Sequence, residues 1–205
     1  MVEQIFEITN EQSAFVLWRK ITIGCNTRMK YHCEKDDRGL CAGITAVWLK
    51  KSLASKGRGI KTAVELGSKH LMAIVHGVFA RTPPPEGFGL DSVDSIPPLL
   101  TSQSLIGWEA LRGKTYLNPQ GIAIWASLRP CHCLLAFENR TSEFGHIIGM
   151  RCESNTLEMF DPCQGLFQYS DMDSFVKHLQ LVISKRYPDC LGGNWGIFRV
   201  KSALD

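Results

Sequence analysis

A cysteine, a histidine and an aspartate occupy positions of this sequence that suit nucleophilic catalysis. Cys41 follows Gly39 and Leu40 at the predicted start of a helix, where free backbone N–H groups and the helix dipole favour a thiolate. The same helix start offers the backbone N–H of Cys41 to a developing oxyanion. A thiolate also needs a base that a third group orients. The residues therefore predict acyl transfer, with Cys41 as nucleophile, His146 as base and Asp161 as the orienting carboxylate.

The segment that joins His146 to Asp161 predicts a β-hairpin. Two apolar runs flank a polar tip at residues 153–155, which is typical of two antiparallel strands and their turn. With the turn centred after residue 153, His146 lies opposite Asp161 and Ile148 lies opposite Met159. Cross-strand neighbours have Cβ atoms roughly 4.5–5.5 Å apart. A carboxylate at that distance can hold the imidazole by one ring nitrogen.

The length and composition predict one globular domain over residues 1–205. The chain has 44% hydrophobic and 21% charged residues, which is ordinary for a compact domain with its own core. The net charge of +3 is mild and the basic residues form no long run, so a nucleic-acid partner is not expected. No segment approaches about 18 uninterrupted apolar residues, so we expect no integral membrane segment.

The apolar patterns place most helices before most strands. Helices are predicted over about residues 11–20, 41–55, 61–80, 103–112 and 171–186, and strands over 122–127, 132–137, 145–151, 156–161 and 195–200. Helices first and a sheet afterwards favour an α+β domain. We expect the helical N-terminal half to pack on a mostly antiparallel sheet.

The eight cysteines are predicted to be reduced thiols. The chain is long enough to be stable without disulfides, and no signal peptide directs it to an oxidising compartment. A structural zinc site at residues 131–133 (Cys-His-Cys) is not expected, because successive side chains of a strand point to opposite faces. Cys25, His32 and Cys33 could add ligands, but the sequence contains no C-x2-C pair. We expect no metal or organic cofactor.

Three segments resemble the motif blocks of the YopT/AvrPphB-like cysteine peptidases, which are bacterial effector proteases with a papain-like core. They are residues 39–49 (GLCAGITAVWL), 145–149 (GHIIG) and 160–165 (FDPCQG). The family has a G-x-C block that ends in a Trp-Leu helix, a histidine on a strand, and an Asp-Pro followed shortly by a Gly, in this order.

This resemblance implies a papain-like fold with Cys41, His146 and Asp161 as the catalytic triad. It also implies a protein substrate in a host cell. The enzyme would reach that substrate through a bacterial secretion system and would act in the host cytosol or at a membrane surface.

The sequence departs from the family at the second oxyanion donor. The family has an amide side chain a few residues before the nucleophile, whereas this chain has Asp36 and Asp37 there, and an ionised carboxylate repels an oxyanion. Either a backbone N–H, such as that of Asp36, supplies the second donor beside the N–H of Cys41, or Asn26 does so, or catalysis is impaired.

Two other functions are compatible with the same three residues. Transglutaminases, glutamine deamidases and acyltransferases use this geometry with a different leaving group or attacking group. A binding module that has kept a dead triad is the second alternative, and Asp36 and Asp37 are the residues that favour it.

Overall fold

The computed structural model describes residues 1–8, 40–81, 92–140, 145–153 and 155–204. The helix predicted over residues 11–20 lies outside these ranges. The α-helices are α1 (Cys41–Ala54), α2 (Lys69–Arg81), α3 (Ile96–Ser102), α4 (Pro119–Ser127) and α5 (Met172–Arg186). The strands are β1 (Val2–Glu7), β2 (Leu105–Gly113), β3 (Cys131–Glu138), β4 (Gly145–Glu153), β5 (Thr156–Asp161), β6 (Gly165–Tyr169) and β7 (Trp195–Ser202).

The seven strands form one sheet in the order β1-β6-β5-β4-β3-β7-β2. Every neighbouring pair is antiparallel, so the predicted α+β class with an antiparallel sheet is confirmed. Helices pack on both faces of the sheet, with α1, α2 and α3 on one face and α4 and α5 on the other. Within the described ranges, none of the helices has the length and apolar character that crossing a bilayer requires.

Residues 41–49 of helix α1 are buried on all sides, which agrees with the apolar character of this part of the helix around its whole circumference. Trp48 stacks on Phe160 of β5 with ring centroids 5.2 Å apart and 8° between the planes. Gly149 of β4 leaves the space that this indole fills, because an added Cβ there would lie 2.6 Å from the Trp48 ring. The helix therefore lies directly on the hairpin that contains the predicted base and carboxylate.

Replacing Gly43 by Ala is expected to destabilise the fold by roughly 3 kcal/mol, because overpacking at a helix crossing forces backbone shifts. A Cβ at Gly43 of α1 would lie 2.1 Å from the carbonyl oxygen of Met72 and 2.8 Å from the backbone nitrogen of His76. Gly121→Ala in α4 is the matched control, since its Cβ would meet atoms no closer than 3.6 Å. Urea unfolding measures the effect. If both variants had the same free energy of unfolding as the unsubstituted protein, the close packing at Gly43 would be contradicted.

Three of the predicted elements are wrong. The helix predicted over 61–80 is a 3-10 turn at Ala63–Leu66 followed by α2, because Gly67 has φ +88° and breaks the helical path. The predicted helix 103–112 is strand β2, where a bulge between Gly107 and Glu109 hides the alternation of a strand. The predicted strand 122–127 belongs to helix α4.

Helix α4 begins at a cap that the apolar run conceals. The side chain of Asn118 accepts hydrogen bonds from the backbone N–H groups of Gln120 and Gly121 at 3.1 and 3.3 Å. Pro119 occupies the first helical position, where its fixed φ suits a helix and no N–H is needed. The pair Asn118-Pro119 was thus the local signal for a helix.

The predicted register of the β4–β5 hairpin is also wrong, by two residues. Met150 pairs with Met159 and Gly149 pairs with Phe160, so Ile148, and not His146, lies level with Asp161. Because side chains alternate with a period of two, an even shift leaves His146 and Asp161 on the same face of the sheet. They are diagonal neighbours near one end of the hairpin.

Candidate active site

His146 and Asp161 form a buried hydrogen-bonded pair. Nε2 of His146 lies 3.0 Å from Oδ1 of Asp161, and the side chains are 4% and 0% exposed. The Asp161 carboxylate is itself fixed, because Oδ1 accepts a hydrogen bond of 2.8 Å from the N–H of Cys163 and Oδ2 accepts one of 2.6 Å from Nε2 of Gln164. The residues of the Asp-Pro-Cys-Gln turn thus orient the carboxylate that faces the imidazole.

Tyr187 covers the imidazole and was not predicted from the sequence. Its ring stacks on His146 with centroids 4.2 Å apart and 19° between the planes, and its hydroxyl lies 2.9 Å from Nε2 of His146. The edge of Phe137 contacts both rings, with centroid distances of 5.8 and 5.4 Å. Tyr187 follows directly after α5, where no spacing relates it to the hairpin, so no local pattern predicts this contact.

Cys41 is the first residue of α1, and its side chain lies near enough to His146 to contribute to the raised pKa of the imidazole. Thr45, one turn further along α1, donates a hydrogen bond of 3.2 Å to the carbonyl oxygen of Ile147, which fixes the helix against the strand beside His146. Asp161 and Tyr187 both face Nε2 of the imidazole, which leaves Nδ1 as the ring nitrogen for the sulfur. The predicted base and carboxylate are thus hydrogen-bonded to each other, and the predicted nucleophile begins the helix that packs on their hairpin.

The first turn of α1 has backbone N–H groups without partners inside the helix. Leu40 precedes the helix in a conformation with φ −89° and ψ 32°, and among the described residues no side chain caps this end and no acidic residue lies in its first turn. Unpaired N–H groups at a helix start attract negative charge. Asp36, Asp37 and Asn26, from which the second oxyanion donor was predicted, lie outside the described residues.

The electrostatics favour a charged imidazole next to a charged carboxylate. Burial opposes protonation of His146, but the charge and hydrogen bond of Asp161, together with Cys41, raise the pKa of His146 to about 9. Burial likewise opposes ionisation of Asp161, yet the charge and hydrogen bonds of its neighbours hold its pKa below the ordinary value. At neutral pH the imidazole thus keeps a proton that it can give to a leaving group.

Cys163 adds a third ligand atom to the pair. A ring nitrogen of His146, a carboxylate oxygen of Asp161 and Sγ of Cys163 lie within 4.8 Å of one another. Among the described residues this is the one group of three or more His, Cys, Asp and Glu side chains close enough to hold a metal ion. The Cys-His-Cys segment at 131–133 does not converge, because Cys131 and Cys133 pack in one core while His132 points to the other face of the sheet.

A second set of serine, histidine and glutamate lies elsewhere in the fold and does not suit catalysis. Oγ of Ser52 is 2.9 Å from Nε2 of His132, and Nδ1 of His132 is 4.0 Å from Glu153. Ser52 is 1% exposed and His132 is 4% exposed, so no substrate carbonyl can reach the hydroxyl. Ser52 thus provides a hydrogen-bond partner for one ring nitrogen of a buried histidine.

Burial of His132 predicts acid-sensitive stability. Burial, against the opposing charge of Glu153, lowers the pKa of His132 to about 4, whereas the unfolded chain binds this proton near its ordinary pKa of 6.5. The free energy of unfolding is therefore highest above pH 6.5. It falls by at most about 3 kcal/mol as the pH decreases towards 4. Urea unfolding between pH 7 and 4.5 measures this change in the free energy of unfolding, and His132→Gln should make it smaller. If the free energy of unfolding depended on pH equally in both proteins, the prediction would be contradicted.

The comparisons with known proteins find a shared fold. No protein-family model matches the chain and no curated protein matches it. Among solved structures it is similar to the crystal structure of the Pseudomonas avirulence protein AvrPphB, with a TM-score of 0.53 and 18% identity over 79% of this chain and 91% of that one. At this identity the likeness establishes the fold alone, and the chain has the papain-like α+β fold.

Proposed function

We propose that this protein is a papain-like cysteine peptidase in which Cys41, His146 and Asp161 form the catalytic triad. The observation that supports this most directly is the position of His146, which lies 3.0 Å from the Asp161 carboxylate. Cys41, at the start of α1, lies near enough to help raise the pKa of the imidazole. A nucleophile, a base and an orienting carboxylate in a row are the geometric requirement for covalent acyl transfer.

In the first half of the reaction, the Cys41 thiolate attacks the carbonyl carbon of the substrate. The carbonyl oxygen becomes an oxyanion, which the N–H groups at the start of α1 stabilise. The imidazolium of His146 then gives its proton to the nitrogen of the leaving amine as the C–N bond breaks. A thioester with Cys41 and a free amine result.

In the second half, His146 acts as a base. The neutral imidazole takes a proton from water while the water oxygen attacks the thioester carbon. The C–S bond then breaks, which releases a carboxylic acid and regenerates the thiolate beside the imidazolium. Throughout, Asp161 keeps the ring oriented and stabilises its positive charge.

The substrate class and place of action extend this proposal. The motif blocks around Cys41, His146 and Asp161 and the fold shared with an avirulence protein favour a protein substrate in a host cell. We therefore propose a secreted bacterial effector that cleaves a host protein in the cytosol or at a membrane surface.

Mass spectrometry of a eukaryotic cell lysate treated with the protein tests this function. A peptidase creates new amino termini that are absent after treatment with the Cys41→Ser variant. A deamidase or transglutaminase would instead change the masses of glutamine side chains without new termini. That outcome, or a lysate that stays unchanged, would refute the proposed peptidase.

Alkylation with an iodoacetamide probe tests the nucleophile without a substrate. Cys41 should react much faster than the other thiols, because the thiolate is the reactive form. Cys152, a buried thiol at the far end of β4, is the internal reference. Uniformly slow labelling of both would indicate an inert scaffold.

A further inference from the structure

The sulfur of Cys163 joins the proposed base and carboxylate on their solvent side. Sγ of Cys163 lies within 4.8 Å of both a ring nitrogen of His146 and a carboxylate oxygen of Asp161. Cys163 is exposed, whereas the other two residues are buried. A nitrogen, an oxygen and a sulfur ligand therefore converge at one point, and Cys163 is the exposed member of the three.

These three ligand atoms have the chemistry and nearly the spacing that zinc requires. Zinc binds imidazole, carboxylate and thiolate at about 2.0–2.3 Å in a tetrahedron, so neighbouring ligand atoms lie about 3.3–3.6 Å apart. The His146 and Asp161 atoms are now 3.0 Å apart and no pair exceeds 4.8 Å. Shifts of about 1 Å would complete the site.

Cys163 is the ligand best placed to make these shifts. It lies in the turn that joins β5 to β6, next to Pro162 and outside either strand. The two buried ligands are already held by their neighbours, Asp161 by Gln164 and His146 by Tyr187. Three protein ligands leave the fourth position of a tetrahedral ion to water.

We propose that His146, Asp161 and Cys163 form a binding site for Zn²⁺ whose occupation switches off the catalytic activity. The ion would take the ring nitrogen and the carboxylate oxygen that now share a hydrogen bond, and binding would release the protons of the imidazolium and of the Cys163 thiol. With the ion on Nε2, the neutral imidazole keeps a single proton on Nδ1, and loss of that proton would leave an unfavourable imidazolate. The ring can therefore no longer alternate between imidazolium and neutral imidazole, as the proposed reaction requires. The inhibition rests on the proposed function, whereas the binding does not.

Cobalt tests the binding directly, because a thiolate bound to Co²⁺ gives a charge-transfer absorption that the free ion lacks. The full chain, reduced with a phosphine that contains no thiol, is titrated with Co²⁺ and then with Zn²⁺. We expect a thiolate band with one ion per chain, which Zn²⁺ abolishes. Cys163→Ser should lose the band and weaken Co²⁺ binding by at least about tenfold. Cys152→Ser should keep both.

The proposal depends on which cysteine gives rise to the thiolate band. A band that survives Cys163→Ser, or that disappears with Cys41→Ser but not with Cys163→Ser, would place the ion elsewhere and overturn it. The absence of any thiolate band in the unsubstituted protein would do the same. Because each measurement is spectroscopic, the result holds whether or not the protein cleaves a substrate.

Inhibition is measured separately, with each variant compared to its own rate in the presence of a chelator. Zn²⁺ should inhibit the unsubstituted protein reversibly, and Cys163→Ser should need at least about tenfold more Zn²⁺ for the same fractional inhibition. Equal sensitivity of the two proteins would overturn the inhibitory role. A protein with no peptidase activity at all would refute the proposed function, while the cobalt titration would still decide on the site.

Discussion

Replacement of Cys41 by serine is expected to lower kcat/KM by at least about 10³-fold, because a hydroxyl is a far weaker nucleophile than a thiolate beside an imidazolium. Serine differs from cysteine by one atom and keeps the start of α1 intact. The measurement is the rate of cleavage of a substrate found in the treated lysate. Circular dichroism and urea unfolding should show the same fold and nearly the same stability.

Cys152→Ser is the matched control for this loss. Cys152 is a buried thiol near the end of β4 that is remote from His146, and its replacement should leave kcat/KM nearly unchanged. If Cys41→Ser kept most of the activity, the thiolate mechanism would be excluded. If both variants lost activity equally, the loss would reflect a general sensitivity to thiol replacement.

Replacement of Asp161 by asparagine is expected to lower kcat/KM by roughly 10²–10⁴-fold, because the imidazole loses its orienting charge. The pH profile should also change. Asp161 opposes the effect of burial and helps raise the pKa of His146 to about 9, and this pKa should set the alkaline limb of kcat/KM. Without the carboxylate, burial lowers the pKa, so the alkaline limb should move to lower pH.

Glu158→Gln is the control that shows whether the loss of any buried carboxylate, and not of Asp161 in particular, moves the alkaline limb. Glu158 lies on the same strand, is 0% exposed, and faces Arg151 on the other side of the sheet. Its replacement can lower the stability, but the alkaline limb should stay near pH 9. An Asp161→Asn profile that kept the same limb would show that Asp161 does not control the proton of His146.

The β4–β5 hairpin was predictable because residues close together in the sequence determine it. The alternation of apolar residues in β4 and β5 decides which side chains share a face, and His146 and Asp161 share one for any even register. The register itself was wrong by two residues, since both alignments bury the same apolar face and only the turn residues distinguish them. The position of Cys41 at the start of α1 was predictable in the same way, from the apolar pattern of residues 41–55.

Contacts made by residues far apart in the sequence were not predictable. The stacking of Tyr187 on His146 depends on where α5 ends against the sheet, and nothing near either residue encodes that distance. The edge strand β2 looked helical because its bulge interrupts the alternation and because its partner, β7, follows some 90 residues later in the chain. The extent of the single domain and the roles of the three site residues stay predictions.

The strand order has a consequence for when the protein can fold. The edge strands β1 and β2 pair with β6 and β7 respectively. Neither edge strand can join the sheet until its partner, which is synthesised much later, is present. β7 also lies between β3 and β2, and the sheet cannot close before residues 195–202 leave the ribosome. Pairing over such separations is slow, and we infer that the sheet is completed only after nearly all of residues 1–205 have been synthesised.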